Sequence, residues 1–356
     1  MSYISFQPQD YFNTKLYTGN ATDDTAITGV GFTPSFLWGK NRTDAGTNHY
    51  LIDAVRGVTK ELNSNSTAAD GTDATLIKSF DSDGFTLGDG SLNQSAKNFV
   101  SWNWLANGSG SANTDGSISS TVSANTTSGF SIVKWNADNQ NPSTIGHGLG
   151  VAPNVIIMKE TGGTSNWVVG GFGLDWSGYL LLDSTNAFNN DSNDTSGTGR
   201  MFSQGGNEPT STIWYTNSGA IASQNGTAMI AYCFAEKKGF SKFGSYTGNG
   251  NADGTFIYTG FKPTFIMLKN VSTAQDWQMY TWDMQPYNEF CTTSAGRLKA
   301  NTSDAQSTKS AFDMLSNGFK MRTNASDINA SGNQIIYMAF SEESIVSSNG
   351  VPATSR

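Results

Sequence analysis

The sequence predicts an all-β protein made of three tandem β-sandwich, jelly-roll-like repeats of about 100–120 residues each. Three observations predict it. The composition is that of turns and strands, with 39 Gly and 12% aromatic residues among 356 positions and only 14% charged. Aromatic and β-branched residues alternate with small polar ones over short runs, the period of a strand. One pattern of residues also returns three times along the chain, and such a period has to be read before any single element.

The pattern is Gly, apolar, any residue, Pro, any residue, an apolar run, then Lys. It spans Gly31 to Lys40, Gly150 to Lys159 and Gly260 to Lys269, and its prolines, Pro34, Pro153 and Pro263, stand 119 and 110 residues apart. Upstream lie Tyr17-Thr18-Gly19-Asn20, Trp135-Asn136-Ala137-Asp138 and Tyr246-Thr247-Gly248-Asn249. Fourteen residues past the second and third prolines stand Trp167 and Trp277, and His49-Tyr50 lies near that place in the first copy. Ser82-Asp83-Gly84-Phe85 matches Ser316-Asn317-Gly318-Phe319.

Each copy closes on an aromatic strand ending at Trp104, Phe234 or Phe340. Val100, Trp102 and Trp104 alternate with Ser101 and Asn103, which predicts a half-buried strand with the polar pair outward. In the second copy Ala231 and Cys233 make the outer face apolar too, which predicts cover on both sides. The prolines and the closing aromatics serve as repeat anchors. They divide the chain into a first repeat at 1–106, a Gly/Ser/Thr/Asn linker at 107–129, a second repeat at 130–237, a third at 238–346 and a tail at 347–356. The linker composition is that of a flexible or strand-edge segment. Asp-Gly and Asn-Gly pairs throughout supply the positive φ of two-residue hairpins. Helical cues are scarce, and Ala311–Leu315 reads as one helical turn at most. Lys40, Lys159 and Lys269 read as strand ends in solvent that blunt an edge.

Composition also excludes classes. A net charge of −8 does not suit a groove for nucleic acid, which needs clustered cations. So many aromatics exclude disorder. The opening MSYISFQPQDYF has neither the basic nor the apolar region of a secretory signal. No apolar run approaches the ~18 residues of a membrane-spanning helix, so no membrane insertion is expected. Cys233 sits in an apolar run and reads as a small buried hydrophobe. Cys291 follows Phe290 in a polar region, and nothing in the sequence favours a disulfide between the two. The chain reads as made in a reducing cytosol.

The search for chemistry finds no Gly-x-Ser-x-Gly elbow and no phosphate-binding loop. The two histidines, His49 and His147, fall in different copies, which excludes a triad or a His-based metal site repeated per unit. His147 in Gly146–Gly150 reads as part of a loop before a strand. A glycosidase needs two carboxylates across a cleft, and only Glu236 and Glu342 occupy matched places, each two residues past a closing aromatic. No cofactor is expected. Asp81 and Asp83, and Asn249, Asn251 and Asp253, offer oxygen ligands for calcium, although neither set has the downstream bidentate Glu of a full loop and an Asx-rich turn is the favoured reading. Among the aromatic residues, Trp167, Trp277, Trp282 and Trp214 lie outside the closing strands beside amides and carboxylates, the setting in which a ring face holds a sugar. Recurrence assigns Trp167 and Trp277 to the core. Trp214, unique to the second copy, is the better surface candidate.

The run Tyr17-Thr18-Gly19-Asn20, Gly31-Phe32-x-Pro34-x-Phe36, Lys40-Asn41-Arg42, His49-Tyr50-Leu51-Ile52-Asp53-Ala54-Val55-Arg56-Gly57, Phe80-Asp81-Ser82-Asp83-Gly84-Phe85 and Trp102-Asn103-Trp104 resembles a repeat of marine bacteriophage virion structural proteins, often labelled tail fibre. The resemblance extends over roughly residues 10–343. It implies a non-enzymatic protein of the virion exterior, made in the host cytoplasm. The implied partners are other virion proteins, further copies of the chain in a homo-oligomer, and host surface polysaccharide. Within that implication a tail-fibre or receptor-binding role leads, with capsid decoration and glycan depolymerase as alternatives. The first repeat begins almost at once, so no separate anchoring domain is expected ahead of it. The resemblance carries over no catalytic or binding residue.

Overall fold

The computed structural model describes residues 6–138, 140, 143–190, 201–204, 206–216, 226–284, 296–309 and 311–342. Every described strand pairing but one isolated bridge is antiparallel, and the only helical pieces among the described residues are two short 3-10 turns. The fold is all-β. No described helix is long and apolar enough to cross a membrane.

One strand order occurs three times. In the first unit the entry strand Phe12–Thr18 pairs with the closing strand Asn98–Trp104, which pairs with Phe36–Asn41, and that strand turns back into His49–Asp53. Phe130–Asn136, Ala228–Phe234, Val155–Glu160 and Val168–Gly171 repeat this order in the second unit. Ser241–Thr247, Gln334–Phe340, Phe265–Asn270 and Gln278–Thr281 repeat it in the third. The Gly-x-x-Pro motif sets the start of the central hairpin. Gly31, Gly150 and Gly260 have φ of +87°, +73° and +85°, a turn that side chains resist. The residue after each proline then donates its N–H to the carbonyl of Trp104, Phe234 or Phe340 at 2.7–2.9 Å. Proline, which has no N–H, stands just before the ladder begins.

Each main sheet packs one face on a smaller sheet: Thr25–Thr28, Gly84–Leu87 and Ile77–Asp81 in the first unit, Ser143–Gly146 and Ile213–Thr216 in the second, Phe256–Tyr258, Gly318–Met321 and Phe312–Leu315 in the third. The other faces of the three main sheets meet in a fourth core that all units share. Trp104, Phe234 and Phe340, the matched ends of the closing strands, lie at its centre with ring centroids 5.7, 5.9 and 6.3 Å apart. Phe36 of the first unit stacks on Tyr232 of the second at 4.2 Å, and Phe12 meets Phe340 of the third at 5.0 Å. A void of only about 10 Å³ remains among these apolar rings, no more than the space of a single water and with no polar lining to hold one. The three units therefore form a closed, pseudo-threefold body rather than beads on a chain.

Several expectations change at this level. Ser101 and Asn103 are fully buried, because the first small sheet and its loops cover that face as well. The Asn103 amide is held by donation to the Asn13 carbonyl and Ser101 Oγ. Within residues 107–129, Ser111–Asn113 and Ser120–Asn125 are strands that, with Leu180–Leu181 at the other edge, extend the second main sheet to seven. The supposed helical turn at Ala311–Leu315 is mostly strand, Phe312–Leu315, with Phe312 and Met314 directed into the third core. Cys233 is buried and unbridged, and burial pushes its thiol up. Cys291 and the tail at 347–356 lie outside the described residues.

Candidate functional site

The recurring lysines are not at a solvent edge. Lys40, Lys159 and Lys269 are 0–1% exposed. Lys40 Nζ donates to Thr47 O at 2.8 Å and reaches Ser303 O of the third unit at 3.5 Å. Lys159 Nζ donates to Glu160 O at 2.6 Å, and Lys269 Nζ to Thr185 O of the second unit at 2.8 Å and to Gln275 O. Burial drives the pKa of each ammonium down to about 8, and carboxylates nearby offset only part of that. A charge removed from water needs such oxygen partners. These three groups clamp loops where units meet.

His49 is the hairpin register partner of Lys40, and Trp167 and Trp277 stand at the matching place in the other units, one residue before the ladder pairs Met158–Val168 and Leu268–Gln278. Each bonds the preceding unit in the ring. His49 Nδ1 accepts from Trp38 Nε1 at 3.0 Å, so its Nε2–H donates to Lys299 O at 3.0 Å. Trp167 Nε1 donates to Asn63 O at 2.9 Å, and Trp277 Nε1 to Leu181 O at 2.8 Å. Lys299, Asn63 and Leu181 each follow a leucine paired with the second hairpin strand, so donor and acceptor positions match in all three seams. Burial, then the Lys40 charge, holds the His49 imidazole well below its ordinary pKa and neutral. Trp167 and Trp277 are thus seam residues with no face open to a sugar.

Trp214 is a correction. It is 0% exposed, pairs with Ile145 and meets Trp135 edge-on at 5.5 Å. It occupies the place of Phe85 and Phe319 in the other small sheets, so its uniqueness is of residue type and not of position. Trp282 is half-buried at the start of a short 3-10 turn, with Lys262 Nζ 3.9 Å above its ring.

Among the described residues the exposed aromatics are two that sequence reasoning missed. Phe256 is 44% and Tyr258 58% exposed, and they project from the same face of the strand Phe256–Tyr258 while Ile257 points inward. They are the only aromatic residues among the described ones that are this exposed. Their register partners are Lys320 and Gly318. Lys320 Nζ pairs with Asp253 at 2.6 Å, and Arg322 Nε pairs with Asp313 at 2.6 Å.

A family model described as a domain of unknown function (DUF7483) matches residues 7–344. The chain belongs to that family. No curated protein and no solved structure matches it.

In this DUF7483 chain the oxygen-rich turns are occupied by the protein itself. Asp83 accepts from the N–H groups of Gly29 at 3.0 Å and Gly31 at 2.7 Å, and these bonds, Gly31 first, lower its pKa. Asp81 accepts from Ser79 and Thr86 hydroxyls. Asn249 and Asn251 cap successive backbone N–H groups of their own turn, and Asp253 is held by Lys320. No described group of three or more His, Cys, Asp or Glu is placed to hold a metal. His147 is a loop residue, donating from Nε2 to Thr210 O at 3.1 Å while Nδ1 accepts from Leu149 N.

The matched carboxylates lie at seams. Glu236 accepts from Phe243 N at 2.9 Å. Glu342 accepts from Thr14 Oγ1 of the first unit, whose oxygen is 3.2 Å from Thr281 Oγ1 of the third. Burial, and then the charge of Asp283, push its carboxyl up to about 8. A buried ion pair marks the seam between the first two units: Arg56 Nε meets Asp53 Oδ2 at 2.6 Å, and Tyr232 OH donates to the same oxygen at 2.9 Å.

Proposed function

We propose that this protein is a non-enzymatic structural component of a bacteriophage virion, on the particle exterior, of the tail-fibre or receptor-binding type. The observation that carries the reading is the use made of the repeated polar residues. Lys40 and Lys269, with His49, Trp167 and Trp277, each bond one unit to another, and Lys159 braces a loop of its own unit whose Ser165 N–H donates to Thr67 O of the first. The groups that in an enzyme would recur as a site recur here as joints. Shared central packing makes a rigid body that presents its three small sheets outward, which suits a protein that touches other surfaces. The residue pattern resembling phage virion repeats supplies the location, and host surface polysaccharide is the expected contact. The protein would work beside other virion proteins and further copies of itself.

A second reading, capsid decoration, is favoured by the pseudo-threefold arrangement of the units. Such a body offers three related faces to a site of threefold or local threefold symmetry. Gold-labelled antibody on intact particles tests both. Label at the tail supports the first reading, label over the shell supports the second, and unlabelled particles overturn both. Steady release of reducing ends from host surface glycan by the purified protein would overturn the non-enzymatic assignment.

A further inference from the structure

The three small sheets allow a comparison at one outer position. The strand Thr25–Thr28 turns Ala26 and Thr28 outward in the first unit. The strand Ser143–Gly146 places Thr144 and Gly146 there in the second. In the third the same places hold Phe256 and Tyr258. The inward residue between them is isoleucine every time: Ile27, Ile145 and Ile257. The fold therefore needs the isoleucine and does without rings outside it.

The second unit also covers this edge. Ser117 and Thr144 exchange hydrogen bonds between backbone N–H and side-chain oxygen, at 2.8 and 2.9 Å, and Ile118 bridges Ile145. A Cβ on Gly146 would stand 1.9 Å from Asn113 Oδ1. The third unit leaves its strand uncovered among the described residues, with the two aromatic residues about 7 Å apart along the backbone on one face. A single exposed ring needs no explanation, whereas a pair on one face of one edge does.

We infer that Phe256 and Tyr258 form a binding platform for a neutral oligosaccharide. The inference rests on the adhesive reading proposed above, and it names the place and the ligand class. Aromatic faces take the apolar C–H faces of pyranose rings, and tyrosine adds a hydroxyl at the wet rim. Beside them lies a strip of charges that cancel: Lys320 with Asp253, Arg322 with Asp313, and a longer contact of Arg322 to Asp253 at 3.7 Å. Donors and acceptors for sugar hydroxyls are held in place there without net charge. That balance selects a neutral ligand over an anionic one.

The test uses the full chain with Phe256→Ala and Tyr258→Thr together, which installs the residues of the first unit and so keeps a surface this fold already carries. Saturation-transfer NMR is run with cellotetraose, maltotetraose, mannotetraose and galactotetraose, and with the acidic tetragalacturonate. The expected result is binding of at least one neutral tetrasaccharide, weakened about tenfold or more in the double variant. Three results would each overturn the inference: no neutral tetrasaccharide bound, equal binding by the double variant, or binding of tetragalacturonate alone. A dimer of the native chain that the double variant dissolves would overturn it in favour of contact between copies. Because this test uses purified protein, its failure leaves particle labelling untouched, and unlabelled particles leave a measured sugar affinity standing.

Discussion

The seams and the outer edges of this molecule follow opposite rules. At the seams three equivalent positions carry equivalent bonds: His49, Trp167 and Trp277 each donate to the same carbonyl position of the preceding unit. At the outer edges three equivalent positions have diverged: one is small and bare, one is covered by residues 113–118, and one is aromatic and bare. Position in the repeat alone does not separate structure from function. What separates them is whether the residues at matched positions do the same job, since identical use marks architecture and divergence on an exposed edge marks a surface free to specialise.

The largest effects are expected at the centre. Phe340→Ala and Phe319→Ala should each cost about 3–5 kcal/mol of stability in urea melts. They should differ in reach. Loss of Phe340, which touches Trp104 and Phe234, should speed amide exchange in the closing strands of all three units. Loss of Phe319, which packs on Phe312 and Tyr337, should speed exchange in the third unit alone. Equal spread from both would show that the outer cores are not separate from the centre. Next comes Lys159→Met, expected to cost about 1–3 kcal/mol by leaving buried carbonyls without a donor. The exposed Lys134→Met should stay within about 0.5 kcal/mol in the same melts.

A smaller effect is expected from pH at the seam between the first and third units. The folded state holds Glu342 protonated up to about pH 8, against an ordinary value of 4.5. Its raised pKa therefore contributes stability below about 4.5 that is lost as pH rises toward 8. His49 has the opposite sign: its lowered pKa gives stability above 6.5 that is lost on acidification. Glu342→Gln should remove the first slope and keep the second, raising Tm at pH 8 relative to the native chain by about 2 °C or more. Parallel curves for the two proteins would remove Glu342 from this account. The smallest effect is that of Phe256→Ala with Tyr258→Thr, expected to shift stability by no more than about 0.5 kcal/mol, because neither ring is buried.

Strands, turns and the recurring hairpin were legible because they depend on local rules. Proline before a ladder, glycine at positive φ and alternation of side chains act over a few residues. Cover on a second face does not. Ser101 and Asn103 have the polarity of an outer face, yet a second sheet lies on them and hydrogen bonds make that tolerable. The lysines misled for a related reason, since two of the three reach carbonyls on another unit, Ser303 and Thr185, far away in sequence. Trp214 looked like a surface residue because the second copy lacks the Asp-Gly-Phe or Asn-Gly-Phe turn that would have aligned it with Phe85 and Phe319. The outer aromatic pair did leave a signal. Thr25-Ala26-Ile27-Thr28 and Thr255-Phe256-Ile257-Tyr258 align on their isoleucines, and only the outward residues differ.

The shared core also fixes an order of events during synthesis. Phe12 and Thr14, at the start of the chain, complete their contacts only with Phe340 and Glu342. Until the last strand leaves the ribosome, the inward faces of the first two units lie open, with Trp104, Phe130 and Phe234 among the rings displayed. At about 5–20 residues per second the roughly 100 residues of the third unit keep that surface uncovered for several seconds or more. Over that interval the nascent chain is a sticky intermediate, and the last strand to arrive acts as the keystone that ends it.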